Sequence, residues 1–212
     1  MSNECYNDLL ITNLLPEQKQ EILDCFFKED DESEWESKFL QTFCPDSSRW
    51  GRGSELYAVQ IDNESQKSEF SCSFYTSWDS PLEGLYETAQ KIPNALIKIR
   101  YYEPGEDFCG VALFKDKKVY EYTHQLSDVK EMWLKEYRPD MYLRLQAQGM
   151  EEDPELEEEL EDTCGDIEFD IVNWMLDPIA ECLHKVLSNP SEYGASIDVN
   201  LCSNVITVPL DE

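Results

Sequence analysis

Two hydrophobic periodicities take turns along the first 124 residues, and their order limits the fold more than any other feature of the chain. Leu9, Ile11 and Asn13 alternate with Leu10 and Thr12, as in a short strand. Pro16 then suits a first helical position, and Ile22, Leu23, Phe26 and Phe27 fall on one stripe at helical spacing. Tyr57, Val59 and Ile61 alternate again, as do Phe70, Cys72, Phe74, Thr76 and Trp78, and the polar connection at residues 62–68 predicts a β-hairpin. Ser80-Pro81-Leu82-Glu83 predicts a helix start, with the serine as cap, proline at the first helical position and a glutamate able to reach back to the cap amide. Leu82, Leu85, Tyr86, Ala89 and Ile92 give that helix an apolar face, and Pro93 ends it. Residues 95–102, 108–114 and 119–122 read as strands, the first two joined by a turn at Tyr102-Glu103-Pro104-Gly105-Glu106. This order predicts an α+β fold, a ferredoxin-like antiparallel sheet with helices on one face, over residues 1–124.

The remaining residues, 125–212, read as an acidic, mainly helical extension. Leu126, Val129 and Trp133 predict a helix interrupted before Pro139, and residues 140–148 resume it. Asp177-Pro178 reads as the start of another helix, whose face is Ile179, Cys182, Leu183 and Val186 and whose end is Asn189-Pro190. Ile197, Val199 and Leu201 alternate, and residues 205–208 suit a closing strand. Earlier in the chain, Trp35, Phe39, Leu40 and Phe43 suit a second short helix, and residues 45–54 a loop.

Charge excludes several functions. The chain has 46 acidic and 17 basic side chains, a net charge of −29. Binding a phosphate backbone or an anionic lipid surface needs a cation at each contact, so direct nucleic-acid binding is disfavoured and any partner chosen by charge is basic. Six of the eight residues 29–36 are acidic, as are twelve of the twenty residues 151–170, and residues 151–212 hold only one base, Lys185. No run approaches the ~20 apolar residues of a membrane span, and the start Met1-Ser2-Asn3-Glu4-Cys5 has no leader pattern, so a cytoplasmic protein is expected. The eight cysteines are scattered singly, which predicts reduced core residues instead of metal ligands.

Four separated motifs resemble a known family. They are Asn7-Asp8-Leu9-Leu10-Ile11-Thr12, the Trp50-Gly51 turn before Tyr57-Ala58, Phe74-Tyr75-Thr76-Ser77-Trp78 running into Ser80-Pro81, and the run from Tyr101-Tyr102-Glu103-Pro104 through Gly105-Glu106-Asp107-Phe108-Cys109-Gly110. In this order they are similar to the YubB-type ferredoxin-like domain, over residues 3–124. That family is carried mostly by phages and conjugative plasmids. The resemblance implies the fold and a mobile-element origin, hence a host-cell cytoplasm, and supplies no catalytic residues. Two departures are Arg52-Gly53-Ser54-Glu55-Leu56, where the family has a lysine and a second tryptophan, and the acidic tail, which has no counterpart.

Reactive constellations are weak. Nucleophilic catalysis needs a base, and only His124 and His184 are present, neither in a motif. Gly51-Arg52-Gly53-Ser54 is too short for a phosphate loop and no lysine follows it. Glu103, Glu106 and Asp107 flank a turn and have the oxygen chemistry of a divalent-ion site, but a solvated turn explains them as well. Residues 29–32 lack the glycine and terminal glutamate of a calcium loop. Phe70, Phe74, Tyr101 and Tyr102 could stack bases, yet no basic groove accompanies them, and core packing suffices. No cofactor, metal or catalytic residue is therefore expected.

The acidity remains. A folded body covered with carboxylates imitates duplex DNA, which carries one charge per ~1.7 Å of axis. The expected function is a non-enzymatic inhibitor of the DNA-mimic type, anti-CRISPR or anti-restriction, binding a basic nucleic-acid-binding protein of the host. The expected partner-binding residues are Glu29, Asp30, Asp31, Glu32, Glu34 and Trp35 in one cluster and Glu151, Glu152, Asp153, Glu155, Glu157, Glu158, Glu159, Glu161 and Asp162 in the other. Phe169 and Trp174 are further candidate anchors or core residues. The alternative is an adaptor or self-associating domain whose acidity only gives solubility, with homo-oligomers through a sheet edge or an apolar helix face.

Overall fold

The computed structural model describes residues 4–26, 57–62, 67–115, 118–148, 159, 163–164, 168–188 and 206–208. In chain order the elements are β1 (Glu4–Thr12), α1 (Pro16–Phe26), β2 (Tyr57–Ile61), β3 (Phe70–Ser77), α2 (Leu82–Lys91), β4 (Leu96–Glu103), β5 (Phe108–Lys115), β6 (Lys118–Gln125), α3 (Leu126–Tyr137), α4 (Pro139–Gln148), α5 (Glu168–Ser188) and β7 (Ile206–Val208). The fold is α+β. The strands form one seven-stranded sheet in the order β2-β3-β1-β4-β5-β6-β7, and every neighbouring pair is antiparallel. The expected hairpin of β2 and β3 is present, with a register shift between Tyr57 and Gln60.

Alternation along each strand divides the side chains between two cores. On one face, Cys5, Leu9 and Ile11 of β1 meet Phe70, Cys72 and Phe74 of β3 and Ile97 and Ile99 of β4, under Ile22 of α1 and Leu85 and Ala89 of α2. On the other, Leu96, Cys109, Val111, Leu113 and Tyr122 meet Val129 of α3, Met141 of α4 and a stripe of α5 comprising Ile171, Val172, Leu176, Ile179 and Leu183. Helices α1 and α2 thus cover one face, and the later helices α3, α4 and α5 cover the other face of the same sheet. Among the described residues no helix is long and apolar enough to cross a membrane.

Two expectations about helix starts need correction. Ser80 does not cap α2: Pro81 is its N-cap, no side chain bonds to the free amides there, and the Ser80 hydroxyl is buried without a hydrogen-bond partner. The first turn is instead closed by the backbone, the Leu85 amide donating to the Pro81 carbonyl at 3.0 Å. Pro178 does not begin a helix either, because α5 runs through it from Glu168 to Ser188. Proline removes one backbone bond and costs about 3 kcal/mol in a helix interior. The apolar stripe before and after Pro178, from Ile171 to Leu187, is buried along its length and offsets that cost. The strand expected at residues 197–201, the helix at residues 35–43 and the loop at residues 45–54 lie outside the described residues.

Buried polar groups are matched locally. The Asn7 amide donates to the Cys5 carbonyl and to Thr76 Oγ1, both at 2.9 Å, and Thr76 in turn donates to the Asp79 carbonyl at 2.8 Å. Tyr101 lies across from Gly110, where an added Cβ would sit 2.5 Å from the Tyr101 ring, and its hydroxyl donates to Glu121 at 2.6 Å. Cys5, Cys72, Cys109 and Cys164 are free thiols and buried, and Cys182 is free and half-buried.

Burial, by stripping water from the thiolate, pushes the Cys5 and Cys109 thiols up to about 12. Their folded-state values are raised, so the stability they contribute is complete below the ordinary thiol range and is lost as pH rises from about 9 towards 12. We predict that urea unfolding under reducing conditions shows a steady loss of stability over that window, and that Cys109→Ala flattens it. A stability independent of pH above about 9 would contradict this assignment.

Candidate functional site

The sheet face beneath α5 is covered unevenly, and its open part holds a polar cluster. Antiparallel register sets Tyr6 opposite Tyr102, Asp8 opposite Arg100, Leu10 opposite Lys98 and Thr12 opposite Leu96. These eight side chains share one face. Helix α5 lies against β4 and β5, so on this face Tyr6, Asp8 and Leu10 of β1 and Ser71, Ser73 and Tyr75 of β3 stay half-buried.

Aromatic rings close one end of this face. Phe169, at the start of α5, meets the Tyr6 ring edge-on at 5.0 Å between centroids and lies 6.4 Å from Tyr102. Tyr6 also meets Tyr75 edge-on at 5.4 Å. Burial raises the pKa of the Tyr102 phenol, with the Glu168 carboxylate adding to the effect. Phe169, proposed from sequence as an interface anchor, therefore fastens α5 to the sheet. Trp174 meets Tyr137 of α3 edge-on at 5.9 Å and is half-buried.

Next to the rings, Arg100 bridges two carboxylates. Its Nε donates to Asp8 Oδ2 at 3.0 Å and its Nη2 to the same oxygen, while Nη1 donates to Asp177 of α5. The Arg100 side chain is 18 % exposed and that of Asp8 24 %, so water screens this pair less than an exposed one, whereas Asp177 is 53 % exposed and its bond to Arg100 is more fully screened. Arg100 ties β1, β4 and α5 together through a planar fork that a lysine cannot reproduce. Beyond it, between Leu10, Thr12 and Lys98 on the sheet and Ala180 and His184 on α5, lies a cavity of about 300 Å³.

The turn considered as a metal site has other duties. Glu103 is 1 % exposed and accepts the Glu106 amide. Asp107, in the left-handed region at φ 56°, accepts the Ser127 amide and hydroxyl, both at 2.7 Å, at the start of α3. Among the described residues no group of three His, Cys, Asp or Glu side chains is placed to hold a metal ion. His124, near the end of β6, lies 3.6 Å from Asp128 in the first turn of α3, and His184 is exposed at the cavity. Phe70, Phe74 and Tyr101 are buried in the first core, leaving only Tyr102 of the four aromatics on the α5 face.

Of the partner-binding residues expected from sequence, only Glu159 is described. It is 2.7 Å from the Arg144 guanidinium and 3.6 Å from that of Arg138, which joins it to α4 and to the residue ahead of it. Glu29, Asp30, Asp31, Glu32, Glu34, Trp35, Glu151, Glu152, Asp153, Glu155, Glu157, Glu158, Glu161 and Asp162 lie outside the described residues. Nothing in the sequence alone paired Asp8, Arg100 and Asp177, which are 92 and 77 positions apart. Comparison of the chain with protein-family models, curated proteins and solved structures gives no match.

We predict that Arg100→Met lowers stability by about 1–3 kcal/mol, because two carboxylates then face each other without a cation. Arg100→Lys should recover part of the loss, as it restores charge without the fork. Chemical denaturation of the three proteins measures this, and an Arg100→Met protein as stable as the parent would contradict the role given to the cluster.

Proposed function

We propose that the protein is a non-enzymatic acidic inhibitor from a phage or plasmid, which binds a basic nucleic-acid-binding surface of a host defence protein, of the CRISPR-effector or restriction type. Its first 124 residues are read as ferredoxin-like, on the β-α-β-β-α-β order and the strand order β2-β3-β1-β4. The YubB-type resemblance points the same way. The observation that carries the reading is the charge of −29, together with the internal use of cations. Arg100 is held by Asp8 and Asp177, Lys130 by Glu168, Arg138 and Arg144 by Glu159, and Lys185 lies 3.8 Å from Glu181. Each of these cations cancels one acid, and the remaining excess of carboxylates sets up the negative field that would steer a basic partner and release counterions as DNA does.

A second reading, the adaptor or self-associating domain, draws on a different feature. Met132 and Tyr137 of α3 and Leu143 of α4 are 36 %, 50 % and 65 % exposed. Apolar side chains of this size in water on neighbouring helices suit a contact that does not depend on charge.

The test begins with tagged protein as bait in lysates of bacteria that carry defence systems, followed by titration of the purified partner. We expect a basic nuclease or CRISPR subunit, displaced by duplex DNA, whose affinity falls about tenfold or more between low and moderate salt. Replacing the carboxylates at residues 29–34 and 151–162 by amides should weaken binding comparably. Binding unchanged by those substitutions and by salt, but abolished by Leu143→Ser, would transfer the assignment to the second reading.

A further inference from the structure

Helix α5 carries a tryptophan on the side that does not meet the sheet. Its buried stripe, with Ile171, Val172, Leu176, Ile179 and Leu183, lies in the second core. At helical spacing Trp174 falls almost opposite that stripe, on the outer side with Asp170, Asp177 and Glu181, which are all exposed. Trp174 itself is half-buried, and Tyr137 of α3 meets it at 5.9 Å between ring centroids with the planes at 86°. Tyr137 is 50 % exposed and stacks on Trp133 at 5.5 Å. Trp133 packs against the core, so the three rings form a ledge fixed at one end and open to water at Tyr137 and Trp174.

Cations of this chain near the ledge are engaged elsewhere. Lys130 is held by Glu168, Lys135 lies over the Tyr142 ring at 5.9 Å, and Arg138 faces Asp140 and Glu159 at 3.7 and 3.6 Å. Among the described residues no cation lies over Tyr137 or Trp174. Two exposed carboxylates flank the rings, Asp170 one turn before Trp174 and Glu136 next to Tyr137, and neither makes an ion pair among the described residues. A second copy of this acidic chain, or a purely apolar partner, would cover these carboxylates without neutralising them, which is unfavourable. A cation suits both features. Ring faces attract it, and a planar guanidinium can lie on one ring beside the edge of the other while its nitrogens reach a carboxylate. An ammonium has the charge without the plane.

We propose that Tyr137 and Trp174, flanked by Glu136 and Asp170, form the seat for an arginine side chain of a basic protein partner. The inference takes its class of partner from the function proposed above and adds the residue type that the partner presents and where it docks. Tryptophan, tyrosine and arginine are also the side chains that carry most of the energy at protein interfaces.

Titration of the full-length, isotopically labelled protein with a blocked peptide of alternating glycine and arginine, and with its lysine counterpart, tests the proposal through amide and indole resonances. The arginine peptide should give saturable shifts at the Trp133 and Trp174 indoles and at the Tyr137 and Asp170 amides. The lysine peptide should bind at least about threefold more weakly, the scale of a cation stacked on an exposed ring. Trp174→Leu should bring the arginine peptide down to the lysine value while the spectrum stays dispersed. Equal binding of the two peptides, or shifts confined to other surfaces, would overturn the proposal. So would concentration-dependent shifts at Trp174 without peptide, the mark of a second copy. The peptide comparison uses the parent protein, so it decides the matter even if Trp174→Leu fails to fold, and it needs no captured partner. Arginine-selective binding here with no basic partner in lysates would contradict the proposed function and leave the seat standing, whereas a salt-sensitive basic partner without arginine selectivity here would do the reverse.

Discussion

Strand β5 has no solvent face, and the rest of the structure follows from covering it. Residues 109–114 are all buried, with Ala112 and Phe114 in the core beneath α1 and α2 and Cys109, Val111 and Leu113 in the core beneath α3 and α5. An antiparallel sheet of four strands with helices on one side can leave its other side wet. This one cannot do so at β4, β5 and β6, because Leu96, Val111, Leu113 and Tyr122 project there. Burial of such side chains is worth about 1.5–3 kcal/mol each, and the helices after β6 supply it. The carboxylate of Asp107 sets the entry of the first of them by accepting two hydrogen bonds from Ser127.

Coverage by α5 stops over β4, and the polar chemistry gathers at that boundary. Where the helix edge meets β1, the apolar pattern gives way to Asp8, Arg100 and Asp177 and then to the Lys98 cavity. A guanidinium is suited to this place because it remains charged when partly desolvated and satisfies two carboxylates at fixed angles. Arg100, Lys130, Arg138, Arg144 and Lys185 are paired with neighbouring acids, and the net charge of the chain stays negative.

Much of the sheet is legible in the sequence. Alternation in residues 9–12, 70–78 and 95–102 places β1, β3 and β4, and the apolar run at residues 108–114 places β5. That run also carried the sign of two-faced burial, since Val111, Ala112, Leu113 and Phe114 break the alternation expected of a half-exposed strand. Helix α5 was legible only from Pro178 onward, because a proline after an aspartate has the local form of a helix start, and only packing on the sheet shows the helix continuing through it. Ser80 illustrates the same limit: its spacing to Glu83 fits a capping box, while the chain closes the turn through the Pro81 carbonyl. The Arg100 cluster and the cavity were not legible. They depend on register and strand order, which bring residues 8, 100 and 177 together without a local signal.

Because α3 and α5 bury the second sheet face, β4 to β6 and the helices after them are expected to fold as one cooperative unit. Expression of residues 1–124 alone tests this most directly, with amide spectra and binding of a fluorescent hydrophobic dye as readouts. The fragment should bind the dye strongly and lack the dispersed spectrum of the full chain, because Leu96, Val111, Leu113 and Tyr122 then face water. A fragment with a dispersed spectrum, cooperative unfolding and no dye binding would contradict it.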